Sequence, residues 1–300
     1  MIRLIPICLA VCVVASPLFA ADAPKTISVG EKPESVCRGF DDKLYVTMIN
    51  GDVPGDGTIA RIDGKEVTVF AKGLNAPKGI VFVGDYLVTA DEKTMWKIDK
   101  QGVVTKLAGS NNFPYPIEFL NDVAASHDNA SVYVSDMSAP GPMFDGEGKL
   151  LDVNGSQAKA LPKKGCVYKV TLEGEVTVAI PAGNEALRFP NGVTVDESEK
   201  ADQLFVGDFF SGDVMSYQKE KLATVASGLR GVDGLTVTKD TIYASSWTQG
   251  KVWKVDRKTR ETKVILDGLK SAADFYHDAK HKQLIVPDML AGTLVFLPIE

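Results

Sequence analysis

Five polar side chains recur at one spot of a repeated motif. Glu34, Lys78, Asn121, Asn191 and Asp233 each stand second in a short opening: Pro33-Glu34-Ser35-Val36, Pro77-Lys78-Gly79-Ile80, Leu120-Asn121-Asp122-Val123, Pro190-Asn191-Gly192-Val193 and Val232-Asp233-Gly234-Leu235. A sixth opening, Ala272-Ala273-Asp274-Phe275, has alanine at that spot. Two carboxylates and two amides offer the oxygen atoms that hard divalent cations take, with water filling the remaining positions. No spot carries His or Cys, so a zinc site built of softer ligands is not indicated. A dication bound there polarises a carbonyl oxygen and acidifies a coordinated water. A neighbouring carboxylate such as Asp233 then serves as general base or orients that water. The chemistry this points to is attack of water on an ester or lactone carbonyl. A plainer reading competes with it, because Asn, Asp and Gly open strands as turn residues, and Asn-Gly and Asp-Gly alone are turn signals.

The spacing says what must position these residues. The second residues lie 44, 43, 70, 42 and 40 apart. A period near 42 with four short strands per repeat is the signature of a β-propeller blade, here six of them. Each opening leads into an innermost strand, so the openings converge on the axis as a polar ring. The second strand of each repeat is the most apolar, as in Val132-Tyr133-Val134-Ser135, and rich in β-branched and aromatic residues. The third alternates, as in Val252-Trp253-Lys254-Val255, as a half-buried strand does. The fourth is shorter, as in Val67-Thr68-Val69-Phe70, and closes on a turn. After the third strand of the last repeat, Thr293-Leu294-Val295-Phe296, the sequence ends. Thr26-Ile27-Ser28-Val29 from the other end fits that edge and closes the ring without leaving a strand unpaired.

One repeat exceeds the period. Residues 138–165, rich in Gly, Pro, Lys and Asp, separate the second and third strands of blade 3. In an up-down blade that loop lies on the ring's face. Two readings stay open: a lid over the axis, or a solvent-exposed variable loop.

The 300 residues, 45% hydrophobic, can bury a sizeable core, and the repeats leave room for one domain over 25–300. A net charge of −6 with scattered Lys and Arg excludes a nucleic-acid footprint and assigns no protein partner. Residues 1–20 have a secretory signal's form: Arg3, an apolar run Leu4 to Val14, and a small-residue exit ending at Ala20. The run is too short for a membrane span. The expected location is periplasmic in a Gram-negative host, or secreted. Cys8 and Cys12 leave with that segment. Cys37 and Cys166 remain in an oxidising compartment, which suggests a disulfide; their places in blades 1 and 3 favour two buried free thiols.

Other candidates are weaker. Asp91, Asp136, Asp208 and Asp288 end second strands at matching places and are expected to accept backbone N–H bonds. Asp274, one residue past the ring spot like Asp122, is a candidate to back the ring's side chains. Trp247, Phe209 and Tyr115 are candidate pocket walls. His277 aligns with Val195 inside a strand, away from the ring. Ser211 and Ser245 lack a His partner, so a serine nucleophile is not supported.

With these repeats, the segments Phe189-Pro-Asn-Gly-Val-Thr-Val-Asp196 and Gly231-Val-Asp-Gly-Leu-Thr-Val237 make residues 25–300 resemble the gluconolactonase/regucalcin-like family of six-bladed propellers. The resemblance implies a divalent metal on Glu34, Asn191 and Asp233, with Asn121 reaching substrate and the metal's waters, and Asp233 as general base. Calcium is the first candidate, with magnesium, manganese or zinc as others. Two departures stand out. The run after Glu34 lacks the family's aromatic, and Lys78 brings a cation to the ring, where it binds substrate or pairs with Glu34 and weakens metal binding. The expected function is an exported, metal-dependent hydrolase of a lactone or sugar-derived ester with a small-molecule substrate. The alternative is a non-catalytic propeller that holds a partner protein or small ligand on the same face, since fold alone does not settle activity.

Overall fold

The computed structural model describes residues 24–299 except 52, 197 and 200. The signal-peptide reading of residues 1–20 lies outside the described residues. The chain forms six four-stranded antiparallel sheets, with almost no helix. Blades 1 to 5 use strands taken in sequence order over 33–74, 77–109, 120–180, 190–226 and 232–266. The sixth is completed from the other end of the chain. Lys25–Ser28 pairs with Thr293–Pro298, Lys25 opposite Phe296 and Ser28 opposite Thr293. This edge is closed by backbone hydrogen bonds, as the sequence led us to expect.

Apolar side chains from facing sheets fill the space between blades. Tyr45, Leu74, Leu87 and Ile98, for example, are buried together between blades 1 and 2. Cys37 and Cys166 are both buried free thiols. One strand departs from expectation: the outer strand of blade 1 is its longest, Glu66–Leu74.

The insertion of blade 3 is a packed cap. It contains a 3-10 turn (Gly141–Met143) and one helical turn (Ser156–Lys159). Met143, Ala158 and Leu161 pack with Phe189, Phe209 and Phe210 of blade 4. Arg188 Nη1 donates to the Ala158 carbonyl (2.8 Å), and Arg230 Nη2 to that of Leu151 (2.9 Å). Pro140 and Phe144 of this segment reach the cavity on the axis, while most of residues 145–164 are exposed to solvent, so each of the two readings describes part of it.

Candidate active site

Five of the six openings contain a register shift. In blades 1 to 5 the pairing of the first two strands slips by one residue between the first and fourth residues of the opening, as from Pro33 opposite Met48 to Val36 opposite Val46. Such a bulge re-aims the residues inside it. It also withdraws backbone amides from the ladder, and hydroxyls from the second strand replace the lost partners: Thr47 Oγ1 accepts from Ser35 N (2.8 Å), Ser135 Oγ from Asp122 N (3.1 Å) and Ser245 Oγ from Gly234 N (2.8 Å). Blade 6 differs. Its opening forms only a bridge from Ala272 to Asp288, and the strand begins at Tyr276.

Asn191-Gly192 and Asp233-Gly234 therefore lie inside strands, Pro190–Val195 and Val232–Val237, and not in turns. The glycines have another cause. A Cβ on Gly192 would stand 2.1 Å from the Asp233 carbonyl oxygen, and one on Gly234 2.6 Å from Asp274 Oδ1. Only glycine lets the inner strands approach so closely.

The shifted residues meet on the axis. Glu34, Lys78, Asn121, Asn191 and Asp233 all line one cavity of about 250 Å³. Asn191 Nδ2 donates to Asp233 Oδ1 (2.8 Å), and Asn121 Nδ2 to Met137 Sδ (3.3 Å). Both amides thus turn their N–H groups into the protein. Asn191 Oδ1, Asn121 Oδ1 and Glu34 Oε2 are buried with no hydrogen-bond partner. Lys78 Nζ lies over the Phe119 ring, 5.4 Å from its centroid.

Beneath this floor, the next residues of the openings close the channel. Ser35 donates to Asp274, which also hydrogen-bonds Asp122. Asp122 accepts from Val123 N (2.6 Å) and Val193 N (2.7 Å), tying blade 3 to blade 4. The backing expected of Asp274 is this plug, and Asp122 shares in it. Burial pushes Asp274 up to about 6, and burial together with Asp274 holds Asp122 well above the usual carboxylate range. On the floor, burial and then the charge of Asp274 push Asp233 up to about 8, against the hydrogen bond from Asn191 and the charge of Lys78. Burial and then Asp233 raise Glu34 strongly. Burial also lowers Lys78, opposed by Glu34, Asp91, Asp233 and Glu92.

The floor is therefore a set of oxygen acceptors that disfavours negative charge and leaves three oxygens unpaired. An oxygen-preferring dication answers both conditions. Among the described residues no group of three His, Cys, Asp or Glu side chains is placed to hold a metal ion. The floor has two carboxylates, Glu34 and Asp233, and the other oxygens it offers are those of the Asn191 and Asn121 amides.

Sequence reasoning found the floor and missed most of the wall. The residue after the second strand turns over the floor in five blades: Ile49, Met137, Phe209, Trp247 and Met289. Each is pinned by its backbone N–H, which donates over 2.8–3.1 Å to the carbonyl just ahead of its own blade's opening, as Phe209 does to Phe189. Phe119, with Pro140 and Phe144 of the lid, completes the lining. The fixed position after the second strand, directly behind the strand-ending Asp in blades 3, 4 and 6, is a signal legible in the sequence. Of the expected wall residues, Trp247 and Phe209 line the cavity. Tyr115 does not; it is 41% exposed and leans on Tyr168 (centroids 6.4 Å apart).

The strand-ending aspartates hold loops. Asp91 accepts from Asn75 N and Ala76 N, Asp136 from Glu118 N and Phe119 N, Asp208 from Arg188 N and Phe189 N, and Asp288 from Lys270 N and Ser271 N. Ser245 Oγ donates to the Ala273 carbonyl (2.8 Å), so it is a structural hydroxyl.

Known structures resemble this one in fold. The chain is similar to one in the crystal structure of a Nidogen/Laminin complex, with TM-score 0.59 and 16% identity over 78% of this chain and 79% of that one. It is also similar to a gluconolactonase from Xanthomonas campestris, with TM-score 0.59 and 15% identity over 94% of this chain and 99% of that one. No family model matches the sequence, and no curated protein sequence matches it. At these identities the likeness is one of fold.

Proposed function

We propose that the chain is a divalent-cation-dependent hydrolase of a lactone or related ester, with Ca²⁺ as the first candidate ion. The observation that carries this reading is the trio of buried, unpartnered oxygens, Glu34 Oε2, Asn121 Oδ1 and Asn191 Oδ1, beside the carboxylate of Asp233. The gluconolactonase of similar fold supports the class of reaction.

Glu34, Asn191 and Asp233 hold the cation in this reading. When bound, it supplies Lewis acidity to the scissile carbonyl. Asn191 fixes Asp233 through Oδ1, which leaves Oδ2 to take a proton from the attacking water. Asn121 and Lys78 hold the substrate's oxygens from the opposite side of the floor, and Phe119 steadies the Lys78 ammonium. Water adds to the carbonyl carbon, the ring C–O bond breaks, and the departing alkoxide takes up the proton as a hydroxy acid forms. The lid and the apolar wall exclude bulk water during these steps. In this proposal the N-terminal segment is a signal peptide and the activity is periplasmic or secreted.

Metal-stripped protein and protein loaded with Ca²⁺, Mg²⁺ or Zn²⁺ would be assayed on a lactone panel. Turnover is expected only with a cation, and Asp233→Ala should lose about 10³-fold in kcat, the range of a general base. No cation-dependent turnover, together with unchanged behaviour of Asp233→Ala, sinks this reading. A second reading has its own observation: Lys78 already aims a positive charge at the floor. That favours a propeller which binds an anionic ligand or partner here without catalysis. It predicts ligand binding that cations leave unchanged and that Lys78→Ala abolishes.

A further inference from the structure

The wall of the cavity limits the substrate more sharply than the floor does. Apart from the Trp247 indole, the hydrogen-bonding side chains of the lining belong to the floor; what rises above it is apolar, including Met137, Phe144, Phe209 and Met289. The wall's side-chain N–H, that of the Trp247 indole, donates to Met289 Sδ at 3.1 Å and is not offered to a ligand. Phe209 lies between two other rings, its centroid 6.3 Å from that of Phe144 and 6.4 Å from that of Trp247. The aromatic surface is therefore continuous from blade 5 to the lid. The loops on the same face also carry exposed apolar side chains. Of the seven large exposed apolar side chains among the described residues, Val53, Tyr115, Val153 and Leu290 sit in its loops.

A sugar lactone brings several ring and side-chain hydroxyls. One carbonyl and one ring oxygen reach the floor, and the hydroxyls would face rings and thioethers. Each hydroxyl stripped of water without a partner costs roughly tenfold or more in affinity. An alkyl or aryl group gains where the hydroxyl loses. We infer that the substrate of this site is a lactone or ester whose ring substituent or acyl chain is apolar, seated against Phe144, Phe209 and Trp247, and not a polyhydroxylated sugar lactone. The inference rests on the hydrolase reading for its reaction and on the wall alone for its selectivity.

Two readouts keep these apart. With the Ca²⁺-loaded protein, kcat/KM is measured for δ-lactones of increasing alkyl chain and for glucono-δ-lactone. It should rise about threefold per added methylene until the cavity is full, and the longer alkyl lactones should exceed glucono-δ-lactone by about 100-fold. Phe144→Ala should cut the longest alkyl lactone about tenfold and glucono-δ-lactone by much less, so that the ratio between the two falls. Binding is read separately with the matching lactams, through fluorescence quenching that is lost in Trp247→Phe. Alkyl lactams should bind in the same order. Glucono-δ-lactone turned over as fast as the alkyl lactones overturns the inference and leaves the hydrolase standing. Ordered binding of alkyl lactams without turnover of any lactone supports the apolar selectivity and sinks the hydrolase. Neither binding nor turnover overturns both.

Discussion

The two ends of the axial channel are built from the same six inner strands and treat charge in opposite ways. At the upper end, three side-chain oxygens are buried without partners around one cavity. At the lower end, a second cavity of about 340 Å³ is lined by the continuation of those strands, Arg38 among them. There, Asp278 is closed by Arg38 Nη2 (2.5 Å), His281 Nδ1 (2.9 Å) and Gln283 Nε2 (3.1 Å). The Ser35–Asp274–Asp122 plug divides the two ends. Leaving buried acceptors open destabilises a fold, so three acceptor oxygens left open around one cavity mark where a ligand would complete the structure, whereas in the described lining of the lower cavity the unpartnered atom is a donor, Arg38 Nε. The lower end reads as architecture by the same argument.

The largest expected effect tests the upper end. Glu34→Gln removes a floor carboxylate with little change of shape, and turnover should fall about 10³-fold. Wild-type protein at 100 times its Kd for Ca²⁺ should gain about 2.7 kcal/mol of stability, visible as a rise in Tm. Glu34→Gln should lose that gain. Retention of both turnover and calcium stabilisation in this variant would break the contrast between the ends.

The next effect tests the lower end. Arg38→Ala strands the buried Asp278 carboxylate and should destabilise by about 3 kcal/mol in urea unfolding, with turnover unchanged. The pH dependence has a definite sign. Burial pushes Asp278 up, but hydrogen bonds from His281, Gln283 and Arg38 outweigh it and hold the carboxyl below its ordinary value. A depressed carboxylate contributes stability above its unfolded pKa, near about 3.9, and loses it as pH falls through the folded value. The gap between wild type and Arg38→Ala should therefore persist at neutral pH and close below about pH 4. A gap that widens in acid would show that Arg38 acts otherwise than through Asp278.

How much of this was legible follows from what each residue answers to. The blade count, the closing strand and the axial placement of Glu34, Lys78, Asn121, Asn191 and Asp233 came from periodicity, because every blade must repeat the same inner geometry. The role of Asp91 and its three equivalents was legible for the same reason. The glycines after Asn191 and Asp233 were misleading. Their local signal is a turn, and their actual cause is the approach of another strand's backbone, which local sequence does not encode. The wall was hidden differently. Met137 and Met289 sit at a repeated position, but apolar residues in a propeller read first as core, and only the fold separates those that face a cavity from those that fill the space between blades. Tyr115 was misplaced because a four-to-one loop can lean outward as well as inward.

The smallest effect concerns Lys78, which sharpens the comparison because it is the one cation on the acceptor floor. Its charge is partly balanced from outside the floor, since Asp91 and Glu92 act on it as well as Glu34 and Asp233. Lys78→Met keeps an apolar stem over Phe119 and removes the charge. At an effective dielectric of about 20, a like charge on the same cavity opposes a bound dication by roughly 3–4 kcal/mol, of which the balancing carboxylates would leave roughly 1–2 kcal/mol. Calcium affinity, measured by titration calorimetry, should therefore rise about tenfold in Lys78→Met. The KM for lactones should rise as well, because the ammonium that holds a substrate oxygen is gone. The two changes separate the roles. Tighter calcium with unchanged KM would make Lys78 a brake on the cation and nothing more. Unchanged calcium affinity with raised KM would place the ammonium with the substrate, outside the cation's field. A variant that binds neither calcium nor lactone differently would return Lys78 to the architecture and leave the acceptor floor to act without it.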